Sequence, residues 1–237
     1  MHQTDIRRMF LPVAAAVALL AACSGSESAA EATTVDVVLA DSALAMASIE
    51  TAAFSIVETG APVFIDDSGL IQFSEASGRF DAPSSADAIV TVKALGLVTE
   101  VGAVVIDGKI WITNPITGDW EEAPESFSFD PSVLFAAETG WAAMLSDGLV
   151  DPVLLAPTAG DDGRHHVQST IDADRVSTLT GGLVDEASVV DFWIDPEDDR
   201  VVEVAFDVET DEGPTSWLLT LSDFDQEVSI TEPDLGG

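Results

Sequence analysis

Between Phe54 and Leu221 the chain is built largely from short segments in which apolar and polar residues alternate, and that pattern constrains the fold more than any other feature. Alternation with a period of two puts one set of side chains on each face of a strand. The segments predict strands at 54–57, 63–65, 70–80, 88–94, 97–106, 109–113, 153–155, 165–171, 189–194, 201–208 and 216–221, with a further one over 226–231. Asp107-Gly108 between Val105-Ile106 and Lys109-Ile110 predicts a two-residue type I′ hairpin, which needs positive φ at both turn positions. Three stretches break the alternation. Val37–Ala53 carries Val37, Val38, Leu44, Ala45, Ile49 and Ala52 at helical spacing and predicts one amphipathic helix. Asp130-Pro131 reads as an N-cap followed by proline at the first helical position, opening short helices over 132–137 and 139–145 that stop at Gly148. A third short helix is expected over 172–179, ended by Gly181-Gly182. The fold class that follows is α+β: one long antiparallel sheet with helices on one face.

The N-terminus carries a different message. Arg7 and Arg8 precede an apolar run, Met9–Leu20, that is too short to span a bilayer as a helix. It reads as a signal peptide ending in Leu20-Ala21-Ala22-Cys23, a sequence that resembles the bacterial lipobox. In proteins with that box the cysteine thiol takes a diacylglyceryl group, the chain is cut before it, and two or three acyl chains hold the protein on the membrane. The expected organisation is a signal peptide over 1–22, a small polar tether over 23–34 and a single domain over 35–237. The expected location is the extracytoplasmic side of the cell membrane. Cys23 is the only cysteine, so no disulfide can form within the chain.

Charge narrows the partners. Removal of 1–22 takes away Asp5, Arg7 and Arg8, leaving 6 basic and 42 acidic residues and a net charge of −36. Nucleic acid is excluded as a partner, because its phosphates need basic residues. The acidity runs along the whole chain and suits a salty environment, where screening shortens repulsion. The alternative is a surface that binds cations or repels partners.

No catalytic constellation emerges. His165 and His166 are adjacent and point to opposite faces of a strand. No nucleophile elbow, zinc-protease motif or phosphate loop is present, and the chain has no tyrosine. Close carboxylate pairs carry no information among so many acids. Asp195-Pro196-Glu197-Asp198-Asp199 lacks the spacing of a calcium loop and is expected as a hairpin turn, as is Asp161-Asp162-Gly163. A non-enzymatic protein without cofactor or metal is therefore expected, acting as a monomer. Of the five tryptophans, most are expected in the core. Trp141, in the short apolar helices, is placed to line a cavity mouth or to dip into the membrane interface.

The order of several weak motifs is more specific than any one of them. Val104-Val105-Ile106-Asp107-Gly108-Lys109-Ile110-Trp111 is followed by a Trp120 segment, then by Phe129-Asp130-Pro131 leading to Glu138-Thr139-Gly140-Trp141. Phe192-Trp193-Ile194-Asp195, two strands, Thr220-Leu221-Ser222-Asp223-Phe224 and Val228-Ser229-Ile230 close the chain. In this order and spacing the chain resembles the LppX/LprAFG family of actinobacterial lipoproteins over nearly the whole mature domain. The resemblance implies a half-barrel of curved antiparallel sheet with helices packed on its concave face, similar to the LolA/LolB carriers. It also implies a hydrophobic cavity that holds acyl chains of a lipid or lipoglycan for carriage or presentation toward the outer envelope. The residues expected to line it are Val90 and Val92, Val104, Ile106, Ile110 and Ile112 on the central hairpin, and Leu134, Phe135, Trp141 and Leu145 on the helices. Periodicity by itself does not separate such a cavity from a filled core, and a filled core would leave function to the acidic exterior, through a protein or cation partner.

Overall fold

The computed structural model describes residues 33–65, 69–94, 96–124 and 130–235. The signal peptide, Cys23, nearly all of the tether and Phe129 lie outside the described residues. The first described element is helix α1, Val35–Ala47, capped by the Thr34 hydroxyl, which accepts from the Val37 backbone N–H. Its buried face is Val38, Leu39, Ser42, Ala43 and Met46, whereas Val37 and Leu44, expected on the inner stripe, are exposed. The helix also stops earlier than its apolar pattern suggests. The Ser48 hydroxyl donates to the Ala45 carbonyl, and strand β1, Thr51–Gly60, begins three residues later. Thr51 is held there by long-range bonds: its carbonyl accepts from Asp225 N–H and its hydroxyl donates to the Gln226 carbonyl. Tertiary pairing overrides helical periodicity at this junction.

The remaining strands are β2 Val63–Phe64, β3 Ile71–Asp81, β4 Ser85–Ala94, β5 Leu97–Ile106, β6 Lys109–Thr113, β7 Trp120–Glu122, β8 Val150–Leu154, β9 His165–Ile171, β10 Ser188–Ile194, β11 Val201–Thr210 and β12 Gly213–Ser222. They form one curved antiparallel sheet in the order β7-β6-β5-β4-β3-β1-β12-β11-β10-β9-β8, with β2 added beside β3. The expected type I′ turn is present, with Asp107 at φ 51° and Gly108 at φ 77°. Residues 226–231 add no strand and form the irregular tail of the domain. Asp225 anchors the start of that tail: its carboxylate accepts from Glu50 N–H and pairs with Arg200.

Topology explains where the helices go. β1 and β12 are partners in the middle of the sheet, while β7 and β8 are its two opposite edges. The chain between β7 and β8 must therefore travel from one edge to the other. On the way it forms a 3-10 turn, Pro131–Phe135, and helix α2, Trp141–Asp147, and both pack on the concave face with α1 and with α3, Ala173–Leu179. Asp130 caps the 3-10 turn, as the sequence predicts, and Asp172, expected as the first residue of the third helix, is the cap of α3. Phe135 stacks on Phe80 of β3 with ring centroids 3.9 Å apart, fixing the crossing segment to the sheet.

Candidate functional site

Strand register decides which side chains face the helices. Val90 pairs with Ala76 and Val101, and Val92 with Phe73 and Thr99, so these residues share one face. Val90, Val92, Leu134, Trp141 and Leu145 all belong to the buried cluster between sheet and helices, and Phe135 packs against it. Ile110 lies opposite Val105, and Ile112 opposite Ala103, which in turn lies opposite Ala88, so both isoleucines share that concave face. Val104 and Ile106 do not. Val104 pairs with Trp111 and Asp87, and Ile106 with Ser85 and Lys109, which puts both on the convex side. Across a two-residue turn, Ile106 and Ile110 cannot point the same way, because opposite residues share a face and neighbours alternate. The expected lining therefore loses Val104 and Ile106. Its concave face has Ala103 and Val105 instead.

The tryptophans also sort by register. Trp141 is 1% exposed, so its ring lies inside the cluster and does not reach outward to a membrane interface. Trp217 is equally buried on β12, flanked by Phe73 at 5.6 Å and Phe206 at 6.2 Å between ring centroids. The interior is not wholly apolar. Glu58, 7% exposed, lies on the concave face opposite Trp217 and accepts a 2.7 Å hydrogen bond from the Thr215 hydroxyl. The indole Nε1 atoms of Trp141 and Trp217 and the Ser42 hydroxyl are buried without a hydrogen-bond partner. Buried donors are nearly always paired, so these orphans on the helices and the sheet are informative. Nothing in the local sequence around Glu58 marked it, because its burial depends on a strand 157 residues away.

Helices α1 and α2 leave an apolar groove of about 500 Å³ between them, lined by Leu39, Ala43, Leu44, Leu145, Leu149 and Pro152. Leu39, Ala43 and Leu145 belong to the buried cluster, so the floor of the groove is the outer edge of that cluster. Leu44, 72% exposed, stands at its edge. The groove also includes Asp36, in the first turn of the helix that follows the tether.

The convex face carries a second concavity of about 750 Å³ across β1, β12, β11 and β10. Val57, Val189, Ala205 and Leu218 supply apolar surface, and Glu186, Asp191, Asp207 and Glu209 surround it with carboxylates. Next to it lies a polar cluster. His166 stacks on Trp193 at 4.5 Å, with its Nε2 2.8 Å from Asp191 and its Nδ1 3.3 Å from Asp161. Asp161, expected only as a turn residue, is 3% exposed and accepts hydrogen bonds from Thr158 N–H and from Trp193 Nε1. Those donors, the Thr158 backbone first, hold its carboxyl below the ordinary carboxylate range. Asp225 is lowered likewise, chiefly by Glu50 N–H and then by Arg200. The 195–199 run is a hairpin turn, closed by Asp199 N–H donating to the Asp195 carbonyl. Among the described residues no group of three or more His, Cys, Asp or Glu side chains is placed to hold a metal ion.

A curved antiparallel half-barrel with helices across its concave face defines the structural class. The chain belongs to the LppX_LprAFG lipoprotein family, whose model matches residues 32–230. Among solved structures, LprF from Mycobacterium bovis aligns with a TM-score of 0.63 at 18% identity, over 86% of this chain and 97% of that one. The lipoprotein LppX from Mycobacterium tuberculosis aligns with a TM-score of 0.55 at 19% identity, over 83% of this chain and 98% of that one. At these identities the likeness is one of fold. A comparison with curated proteins returns no match. Among the described residues no helix is long and apolar enough to cross a membrane.

Proposed function

We propose that this lipoprotein binds acyl chains of a lipid or lipoglycan between its sheet and its helices, without catalysing a reaction. It carries or presents them toward the outer envelope while held on the extracytoplasmic side of the membrane by lipid on Cys23. The observation that carries this reading is the apolar groove between α1 and α2, whose floor is formed by residues of the buried cluster. Family membership supports it, and so does the physics. Each buried methylene contributes roughly 0.8 kcal/mol, so an acyl chain that parts the helices gains affinity with few polar contacts. The helices cover the sheet by side-chain packing, while the strands are joined by continuous ladders, so the cover is the part that yields. Val90, Val92, Ile110, Ile112, Leu134, Phe135, Trp141 and Leu145 are the residues that would meet the chains.

Protein purified without detergent is expected to release lipid on organic extraction, identified by mass spectrometry. Ala40→Trp fills the groove from its exposed edge and is expected to cut the lipid yield several-fold while the protein stays folded. Val90→Trp and Val92→Trp fill the interior itself and are expected to do the same. Lipid yields equal to wild type in all three folded variants would sink the reading.

One observation favours a second reading, an interaction module acting through its exterior: the convex concavity with its carboxylate surround. Lipid-free protein from every detergent-free preparation would favour it.

A further inference from the structure

Two polar groups on the concave face have capacity left over, and they stand side by side. Glu58 and Trp217 are directly opposed in the β1–β12 register, which brings their Cβ atoms within about 5 Å. Glu58 receives one hydrogen bond, from Thr215, and has no cationic partner among the described residues. A carboxyl group can accept several hydrogen bonds, so one leaves it undersupplied. Trp217 Nε1 is a donor with no acceptor. Its ring cannot easily turn to find one, because Phe73 and Phe206 flank it. The concave face thus offers a buried, unfilled donor beside a carboxylate that takes one protein hydrogen bond, and a buried donor left unpaired is costly.

Their position in the half-barrel matters as much as their chemistry. Glu58 is two residues from the end of β1 at Gly60, and Thr215 is two residues from the start of β12 at Gly213. The pair therefore lies just inside the rim of the sheet, level with Phe73 and Val92, and Ile56 opposite Leu219 continues the apolar face inward from it. That is the geometry of a site with a polar end near the rim and an apolar body behind it.

Resting on the acyl-binding reading above, we propose that Glu58 and Trp217 form the head-group end of the site. They select an uncharged lipid that carries a free hydroxyl next to an acyl ester, of the diacylglycerol type. The hydroxyl donates to Glu58, and the ester carbonyl accepts from Trp217 Nε1. A phosphate head group is disfavoured twice, by Glu58 at the site and by a chain with net charge −35 around it. A triacylglycerol has the ester but no hydroxyl and leaves Glu58 unfilled.

The test uses the full chain and displacement of a pyrene-labelled fatty acid by three probes: dioleoylglycerol, trioleoylglycerol and dioleoyl phosphatidylglycerol. Wild type is expected to bind dioleoylglycerol about 10-fold more tightly than either of the others, the size of one well-made buried hydrogen bond. Glu58→Leu keeps the volume and is expected to fold, since replacing a buried acid by an apolar side chain removes a desolvation cost. It should bring the ratio of dioleoylglycerol to trioleoylglycerol affinity close to one. Trp217→Phe should weaken all three probes by roughly 5-fold without changing their order. Equal affinity of wild type for the three probes, or an unchanged ratio in folded Glu58→Leu, overturns the head-group assignment and leaves acyl binding standing. Failure of every probe to displace the fatty acid, with no fatty acid bound, overturns the acyl-binding reading and this inference with it.

Discussion

Gly78 sits in the middle of β3 at a point where the sheet leaves no room for a side chain. A Cβ built on it would lie 1.9 Å from the Asp87 carbonyl oxygen, 2.8 Å from Ala88 Cα and 2.8 Å from the tip of the Phe54 ring. Phe54 can swing aside, but the other two atoms are backbone of β4, the neighbouring strand. Ordinary contact begins at 3.4 Å, so β3 and β4 would have to separate by 3.4 − 1.9 = 1.5 Å locally. That opening stretches ladder hydrogen bonds, each contributing about 1 kcal/mol. Overpacking adds about 1–3 kcal/mol. Gly78→Ala is therefore expected to cost about 3 kcal/mol, against a gain of about 0.5 kcal/mol from a less flexible unfolded chain. For a domain of this size the net loss of about 2.5 kcal/mol corresponds to a fall in melting temperature of roughly 5–10 °C. Gly102→Ala is the control. Its Cβ would meet only side-chain tips, Trp120 Cη2 at 3.0 Å and Thr113 Cγ2 at 3.2 Å, which can retreat. Its cost is expected below about 1 kcal/mol. Thermal melts followed by near-ultraviolet circular dichroism compare the two. A Gly78→Ala protein that melts within 2 °C of wild type, or a Gly102→Ala protein that melts lower than it, refutes the reasoning.

Phe80→Ala removes a buried ring and its stack on Phe135, with an expected loss of about 3–5 kcal/mol. A double-mutant cycle with Phe135→Ala should show coupling of at least about 0.5 kcal/mol, and strict additivity would argue against the contact. Asp161 has a lowered carboxyl pKa in the folded protein, so the stability it contributes is present at neutral pH and is lost as pH falls through that lowered value. Asp161→Asn should accordingly melt below wild type at pH 7, with the two curves converging as the pH falls below the ordinary carboxylate range; parallel curves would count against the assignment. Raising NaCl from 0.1 M to 1 M shortens the screening length from about 10 Å to about 3 Å. With 43 acidic against 8 basic residues, melting temperature should rise with salt, and a flat or falling profile would show that self-repulsion is not a major strain.

Much of the local structure was legible because it depends on neighbours in the chain. Alternation located eleven of the strands, Asp107-Gly108 set a hairpin, and Asp130 marked a cap, all within a few residues of the features they control. The fold itself was legible chiefly through the order of motifs shared with a known family. The lining set was legible only in part. Val90 and Val92 follow from alternation, but Val104 and Ile106 fall on the other face once the hairpin turn fixes the register.

What the sequence determined by itself was the set of strands, their two faces and the acidic balance, since a period of two and a charge count need no partner. Only the tertiary structure decided which faces meet. The pairing of β1 with β12 joins the two ends of the domain and sends the intervening chain across the concave face as a cover. The same pairing buries Glu58 against Trp217 and Thr215, and Asp225 fixes where α1 gives way to β1. Each of these contacts spans more than 150 residues. Closing so long a loop carries an entropy cost that no local propensity encodes, and it is met only by the whole sheet forming together.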